Sequence, residues 1–268
     1  MIYDVAIIGG GPGGYAAAFE AVRSGLSAIL FEKELLGGTC LNRGCVPTKY
    51  LAHVSTLCTE LLHAGEYGLN AQYSGIDFRM TQQKNHAIVG ELRNGLAQKL
   101  SDCGVSIVNG EASLLDKDSI LCGNVLYQTQ NVIIASGSEP VRLTGHMLTS
   151  DEVLKLERIP NSMSIIGGGG IAAELAEIFN GFGTDVSIYI RGDRILRRWD
   201  KDIAVGLTQS MKKRGIRIYP KCDEDILKGV RDEIIVSAIG RKPVLDHMNK
   251  SLFLTDGSGG IVTDPSGQ

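Results

Sequence analysis

Long apolar runs are missing from this sequence, and no stretch of it is long enough to cross a bilayer. A signal peptide is missing as well, because Asp4 interrupts the first apolar segment. There is no basic excess: 27 Lys and Arg stand against 30 Asp and Glu, for a formal net charge of -3. Such a balance offers no field for a phosphate backbone, so nucleic acid is set aside as a partner. The five histidines are scattered, and none has a recognisable catalytic neighbour. These absences point to a cytoplasmic protein, in which six cysteines are no disulfide scaffold.

What is present begins with glycine. The chain's 34 glycines cluster in runs such as Gly9-Gly10-Gly11 and Gly167 to Gly170, which marks close backbone approach rather than low complexity. A hydrophobic share of 43% with 21% charged residues is an ordinary globular balance, and 268 residues give room for one large or two ordinary domains.

The segment from Tyr3 to Gly9 reads as a short buried strand running into a glycine turn. A small-residue helix, Gly14 to Ser24, and a second strand, Leu26 to Glu32, complete a β-α-β unit. The same syntax returns later: strand Met163 to Gly167, helix Ala172 to Phe182, strand Asp185 to Ile190. Two such units imply two nucleotide-binding domains, or one duplicated. Between them the pattern predicts a helix over Pro47 to Leu62. A second helix carries Ile88, Leu92, Leu96 and Leu100 as one apolar stripe. Short strands are expected at Val105 to Asn109, Asn131 to Ala135 and Glu233 to Ile239, while Asp256 to Gln268 closes into no element.

Gly9-x-Gly11-x-x-Gly14 follows a strand and opens a helix, and Glu32 ends the next strand. Glycines there let the backbone reach a pyrophosphate, the helix N-terminus favours its charge, and the carboxylate accepts from ribose hydroxyls. Gly167-x-Gly169-x-x-Ala172 repeats the fingerprint without the acid: Ile190 stands in its place, followed by Arg191, with Arg197 and Arg198 close behind. Guanidinium groups would attract a 2′-phosphate that a carboxylate would repel, which favours NADPH over NADH; the competing reading is a solvated basic face.

Gly37-Gly38-Thr39-Cys40-Leu41-Asn42-Arg43-Gly44-Cys45-Val46-Pro47-Thr48-Lys49 holds two closely spaced cysteines. In a regular helix they would be separated by a rise of about 7.5 Å, whereas a disulfide tolerates about 7 Å between Cα atoms. A bonded pair therefore needs a distorted turn, for which Gly44 and Pro47 are suitable neighbours. Zinc is the competing use of two cysteines, but no CxxC or HxxxH partner accompanies them. Cys58, Cys103, Cys122 and Cys222 stand alone and read as small buried hydrophobes.

On three stretches the chain resembles the FAD-containing disulfide reductases that include dihydrolipoamide dehydrogenase, glutathione reductase and mercuric reductase. They are Gly37 to Lys49, Ala135-Ser136-Gly137-Ser138-Glu139-Pro140, and Ala238-Ile239-Gly240-Arg241-Lys242-Pro243. The resemblance implies an α/β fold of two Rossmann-like FAD/NAD(P)-binding domains, the second inserted in the first. The FAD domain with its redox-active disulfide would span 1–148, the NAD(P) domain 149–243, and 244–268 would begin the return to the FAD domain.

It further implies an NAD(P)H:disulfide oxidoreductase that relays electrons from NADPH (or NADH) through FAD to a Cys40–Cys45 disulfide. Cys45 would face the flavin and Cys40 exchange with substrate, while Lys49 approaches the flavin and pairs with Glu174. Cofactor contacts carried over are Gly9, Gly11, Pro12, Gly13, Gly14, Glu32, Lys33, Gly38, Thr39, Lys49, Ala112, Ala135, Ser136 and Gly137. Gly167, Gly169, Ile171, Glu174, Arg191, Arg197 and Gly240 complete the set, and no metal is implied.

Leu41-Asn42-Arg43 is similar to the dihydrolipoamide dehydrogenases, whereas Ile171-Ala172 with Arg191 and Arg197 is similar to glutathione reductases. Gly170 stands where many relatives place a bulky residue, and Cys222 to Glu233 is shorter than their β-meander. The chain stops at Gln268, so the expectation is a C-terminally truncated form of a homodimeric parent, without the interface domain that carries a His-Glu acid-base pair. Its substrate would be a small-molecule or protein-bound disulfide or dithiol. A mercuric reductase-like enzyme, or an FAD/NADPH-binding module without turnover, are the alternatives.

Overall fold

The computed structural model describes residues 2–268. In chain order it runs β1 (Ile2–Ile8), α1 (Pro12–Arg23), β2 (Ala28–Glu32), α2 (Gly38–Arg43), α3 (Cys45–Leu62), α4 (Phe78–Asp102), β3 (Ser106–Asn109), β4 (Ala112–Asp116), β5 (Ser119–Cys122), β6 (Val125–Ile134) and β7 (Ser138–Pro140). It continues through β8 (Leu148–Thr149), α5 (Ser150–Val153), β9 (Ser162–Ile166), α6 (Gly170–Gly181), β10 (Asp185–Tyr189), α7 (Lys201–Lys213), β11 (Arg217–Tyr219), α8 (Glu224–Lys228), β12 (Ile234–Ser237) and β13 (Arg241–Pro243). Two compact units emerge. One holds the residues through Val46 with Ala87–Glu139 and Lys242–Gln268; the other holds Pro47–His86 and Pro140–Arg241.

The first unit is built on a six-stranded sheet in the order β3-β2-β1-β6-β5-β4. Its strands from β3 to β6 are parallel, and β6, β5 and β4 follow as an antiparallel meander. Strands β1 and β2 read as unbroken apolar runs because both faces of the sheet are covered. Val5, Ile7, Ala28 and Leu30 pack on one side with Ala18 and Ala21 of α1. Ala6, Ile8, Ile29 and Phe31 pack on the other with Ala112, Leu114 and Ile120 of the β4–β5 hairpin. Phe31 meets Tyr127 edge-on at 5.0 Å.

The second unit has a wholly parallel five-stranded sheet, β11-β10-β9-β12-β8. Ala172, Leu175, Ala176 and Phe179 of α6 cover Met163, Ile165, Val186 and Ile188. On the alternate positions of the same strands the sheet is polar: Ser164 donates to Asp232, and Arg217 Nε donates to Ser187 Oγ at 3.1 Å. The short span from Cys222 to Glu233 supplies only α8. Both β-α-β units expected from the sequence are present, and among the described residues no helix is long and apolar enough to cross a membrane.

Two expectations are corrected. Leu92 is 49% exposed, so Ile88, Leu92, Leu96 and Leu100 do not form one buried stripe. The buried line of α4 runs instead through Phe78, Gln82, Asn85, Val89 and Leu100. Steps of four residues overshoot a 3.6-residue turn by about 40° each, so such a row drifts round the helix. Cys103 is exposed rather than buried. It lies in the turn that leaves α4, and Val105, tied to Leu100 O at 3.0 Å, is the residue that enters the core there.

Phe179 is fully buried in the second unit and contacts the Phe182 ring edge-on at 6.3 Å. Phe179→Ala is expected to destabilise that unit by about 3–5 kcal/mol, read from urea unfolding. A loss below about 1 kcal/mol would mean the core refills the space.

Candidate functional site

The first cradle forms where β1 ends. Gly9 has φ +108°, and a methyl carbon there would lie 2.2 Å from Ala135 O. At Gly14 the constraint is tighter, since an added carbon would lie 1.7 Å from Gly9 O. The start of α1 is thereby pressed onto the turn, with Pro12 opening the helix and Gly11 as an N-cap that offers no side-chain bond. Gly13 faces Ala135, where an added carbon would make ordinary contact. Uncapped N–H groups at a helix start favour an anion. Glu32, only 9% exposed, closes the loop: Gly10 N donates to its Oε2 and Glu34 N to its Oε1, each at 2.8 Å. Lys33 pairs with Glu111 at 3.1 Å, and Glu111 also meets His247 at 3.0 Å, just before the buried Ala112.

The cysteine segment starts on this loop. Gly37 and Gly38 take φ +98° and +58°, a region that glycine enters without strain, and an added carbon on Gly38 would lie 2.6 Å from Gly11 Cα. Gly37 N donates to Gly10 O at 2.8 Å. Helix α2 carries Thr39 and Cys40 and breaks at Gly44, and α3 begins at Cys45. The break is a backbone pinch, since an added carbon on Gly44 would lie 2.9 Å from Thr39 O and 3.3 Å from Cys40 Cα. The distorted turn that a bonded Cys40–Cys45 pair would need is therefore present. Cys45 is an exposed free thiol and Cys40 is half-buried. Burial pushes the thiols of Cys122 and Cys222 up, away from thiolate chemistry.

The second cradle repeats the first. Gly167 has φ +131°, and an added carbon would lie 2.2 Å from Ala238 O, the counterpart of the Gly9–Ala135 contact. Gly168 sits against Ile190 as Gly10 sits against Glu32. Gly169 caps α6, and both Gly169 and Gly170 border open space. Ala172 is buried where the first cradle needs Gly14, and Ile171 is 37% exposed. After β10 the chain curls back, with Leu196 N donating to Gly168 O at 2.6 Å. That loop carries Arg191 and Arg197, both exposed, and no carboxylate stands at the Ile190 position. Arg194 braces it by donating to Arg197 O at 3.2 Å.

The segments after β6 and β12 turn on Gly137 (φ +74°) and Gly240 (φ +132°). Ser136 Oγ donates to Val244 O at 2.6 Å, within the first unit. Lys49 and Glu174 are both exposed, and among the described residues no ion pair joins them. Two solvated side chains gain little from pairing in water. Sequence reasoning missed Gly10, Glu111 and Arg194. Gly10 was legible in the glycine triplet, while the other two act through partners that only folding supplies.

Gly14→Ala is expected to cost about 1–3 kcal/mol, as overpacking does, in urea unfolding of the full chain. A neutral substitution would mean the loop has room that the Gly9–Gly14 contact denies.

Comparison with known proteins gives one family and consistent relatives. The family described as pyridine nucleotide-disulphide oxidoreductase matches residues 3–268. A dihydrolipoyl dehydrogenase of Mycoplasma genitalium is 34% identical over 230 residues, covering 81% of this chain and 50% of that protein. Another, from Acholeplasma laidlawii, is 34% identical over 251 residues, covering 90% and 74%. The solved structure of the HOCl-induced flavoprotein disulfide reductase RclA from Escherichia coli superposes with a TM-score of 0.82 at 25% identity, over 98% of this chain and 62% of that one. The chain thus spans about half the length of the first of these relatives.

Proposed function

This chain belongs to the pyridine nucleotide-disulphide oxidoreductase family, and on that footing we propose that it carries electrons from NAD(P)H, NADPH favoured, through FAD to the Cys40–Cys45 pair. From there they pass to a disulfide substrate, or, with the relay run in reverse, they come from a dithiol of the dihydrolipoyl kind that the relatives' names indicate. One observation carries the reading: Gly38 lies against Gly11, so the cysteine helix is built onto the mouth of the first cradle. We read 1–148 as the FAD domain, 149–243 as the NAD(P) domain set into it, and 244–268 as the return, in a protein that works as a homodimer.

The cradles fit such cofactors by shape and charge. The uncapped N-termini of α1 and α6 suit pyrophosphates, and a carbon added at Gly169 or Gly170 would meet nothing within 4 Å, so the backbone there is open to a second nucleotide's approach. Bound FAD supplies a two-electron carrier between a nicotinamide hydride and a disulfide. Glu32 keeps lone pairs beyond those used by Gly10 and Glu34, and with them it accepts from ribose hydroxyls. Arg191 and Arg197 hold the 2′-phosphate of NADPH by paired, charge-assisted bonds. Opening the Cys40–Cys45 disulfide consumes two electrons and two protons and leaves two thiols. Cys45 is the inner sulfur, and Cys40 attacks the substrate disulfide. Lys49 and Glu174, both in the second unit, pair once water is excluded.

Three measurements test this. The purified chain is expected to show a flavin spectrum, alone or after added FAD, that bleaches on anaerobic NADPH; no flavin uptake would sink the reading. If Cys45 is the inner sulfur, its thiolate gives a long-wavelength absorption band beside the flavin after reduction. Cys45→Ser is expected to abolish that band, and Cys40→Ser to keep it while ending exchange; the reverse pattern would swap the roles. Arg191→Ala with Arg197→Ala is expected to weaken NADPH by about tenfold or more, the scale of a lost charged hydrogen bond, and NADH little. Equal losses would make these arginines a solvated face.

A further inference from the structure

Asn42 lies between the two cysteines, and its side-chain amide is engaged at both ends. Its Nδ2 donates to Gly38 O at 2.9 Å, Leu36 O at 3.1 Å and Leu35 O at 3.2 Å. Its Oδ1 accepts from Arg93 Nη1 of α4 at 3.1 Å. An amide carries two N–H bonds, so three carbonyls share them, and a guanidinium on the other end fixes which way the amide faces. Those carbonyls belong to the turn that enters α2, including Gly38, the residue seated on Gly11. Within that turn the backbone bonds are long, Gly38 N to Leu35 O at 3.2 Å and Leu41 N to Gly37 O at 3.4 Å. Helix α2 is only six residues long and breaks at Gly44, so the Asn42 amide adds a brace that the short helix lacks.

We propose that Asn42, oriented by Arg93, is a positioning residue: it pins the entry turn of α2 so that Cys40 is held for bonding with Cys45 across the Gly44 pinch. This rests on the reading of Cys40 and Cys45 as a redox pair. Its consequence is thermodynamic. A braced turn raises the effective concentration of one thiol at the other and so favours the disulfide; a loosened turn disfavours it.

The test is redox equilibration of the full-length chain with mixtures of oxidised and reduced dithiothreitol, followed by acid quench, alkylation and mass measurement of the Cys40–Cys45 peptide. In that exchange one S–S bond forms in the protein and one breaks in the reagent, and two protons pass from the protein thiols to the reagent thiols. Asn42→Ala is expected to lower the equilibrium constant for the protein disulfide about fivefold or more. Asn42→Asp is expected to fall at least as far although it keeps an acceptor for Arg93, because its oxygens would face three carbonyls without donors. Arg93→Met is expected to fall about twofold to threefold, since the amide keeps its donors and loses only its orientation.

An unchanged constant in Asn42→Ala, with the wild-type pair oxidising normally, overturns the proposal. If Asn42→Ala does not fold, Arg93→Met decides: a lowered constant supports the proposal and an unchanged one overturns it. A wild-type chain that never forms the Cys40–Cys45 disulfide overturns the redox reading itself, and the proposal with it.

Discussion

Backbone resting on backbone is the constraint from which the first unit's chemistry follows. Gly14 sits over the carbonyl of Gly9, and Gly38 sits over the Cα of Gly11, at separations that leave no volume for a methyl group. The first contact presents the start of α1 at the end of β1. The second brings the cysteine segment to the same place. Glu32 then ties the loop by taking two backbone N–H groups, so a carboxylate stands fixed beside the helix end without a side-chain cap competing for the space.

The second unit meets the same constraint and spends its freedom differently. A carbon added to Gly9 or to Gly167 would lie the same 2.2 Å from the carbonyl oxygen of Ala135 or Ala238, which shows how alike the two turns are. The units diverge where the geometry allows. Ala172 is tolerated where Gly14 is required, and Ile190 stands where Glu32 stands. Replacing a buried acid by an apolar residue, and following it with exposed arginines, reverses the charge offered to a ligand at that corner.

Most elements were legible because their causes are local. Apolar runs with both faces covered, glycine turns and small-residue helices announced both β-α-β units within a residue or two at each end. The misreadings have physical reasons too. The leucine row of α4 looked like one face because four-residue spacing approximates a helical turn, but the error accumulates with length. Cys103 looked like a core cysteine by type, while its place in a turn decided its exposure.

By itself the sequence determined the α/β class, the two glycine fingerprints, the absence of an acid from the second, and the distorted turn that Cys40 and Cys45 need if they are to bond. All of these follow from short-range sterics and residue chemistry, which act over a few neighbours along the chain. Only the tertiary structure decided that Gly38 lands on Gly11, that Gly44 pinches the backbone at Thr39, and that Arg93 reaches Asn42 from a different helix. The first and last of these contacts join residues distant in sequence, and the geometry of all three is set by how the sheet and its helices pack, which no local pattern encodes.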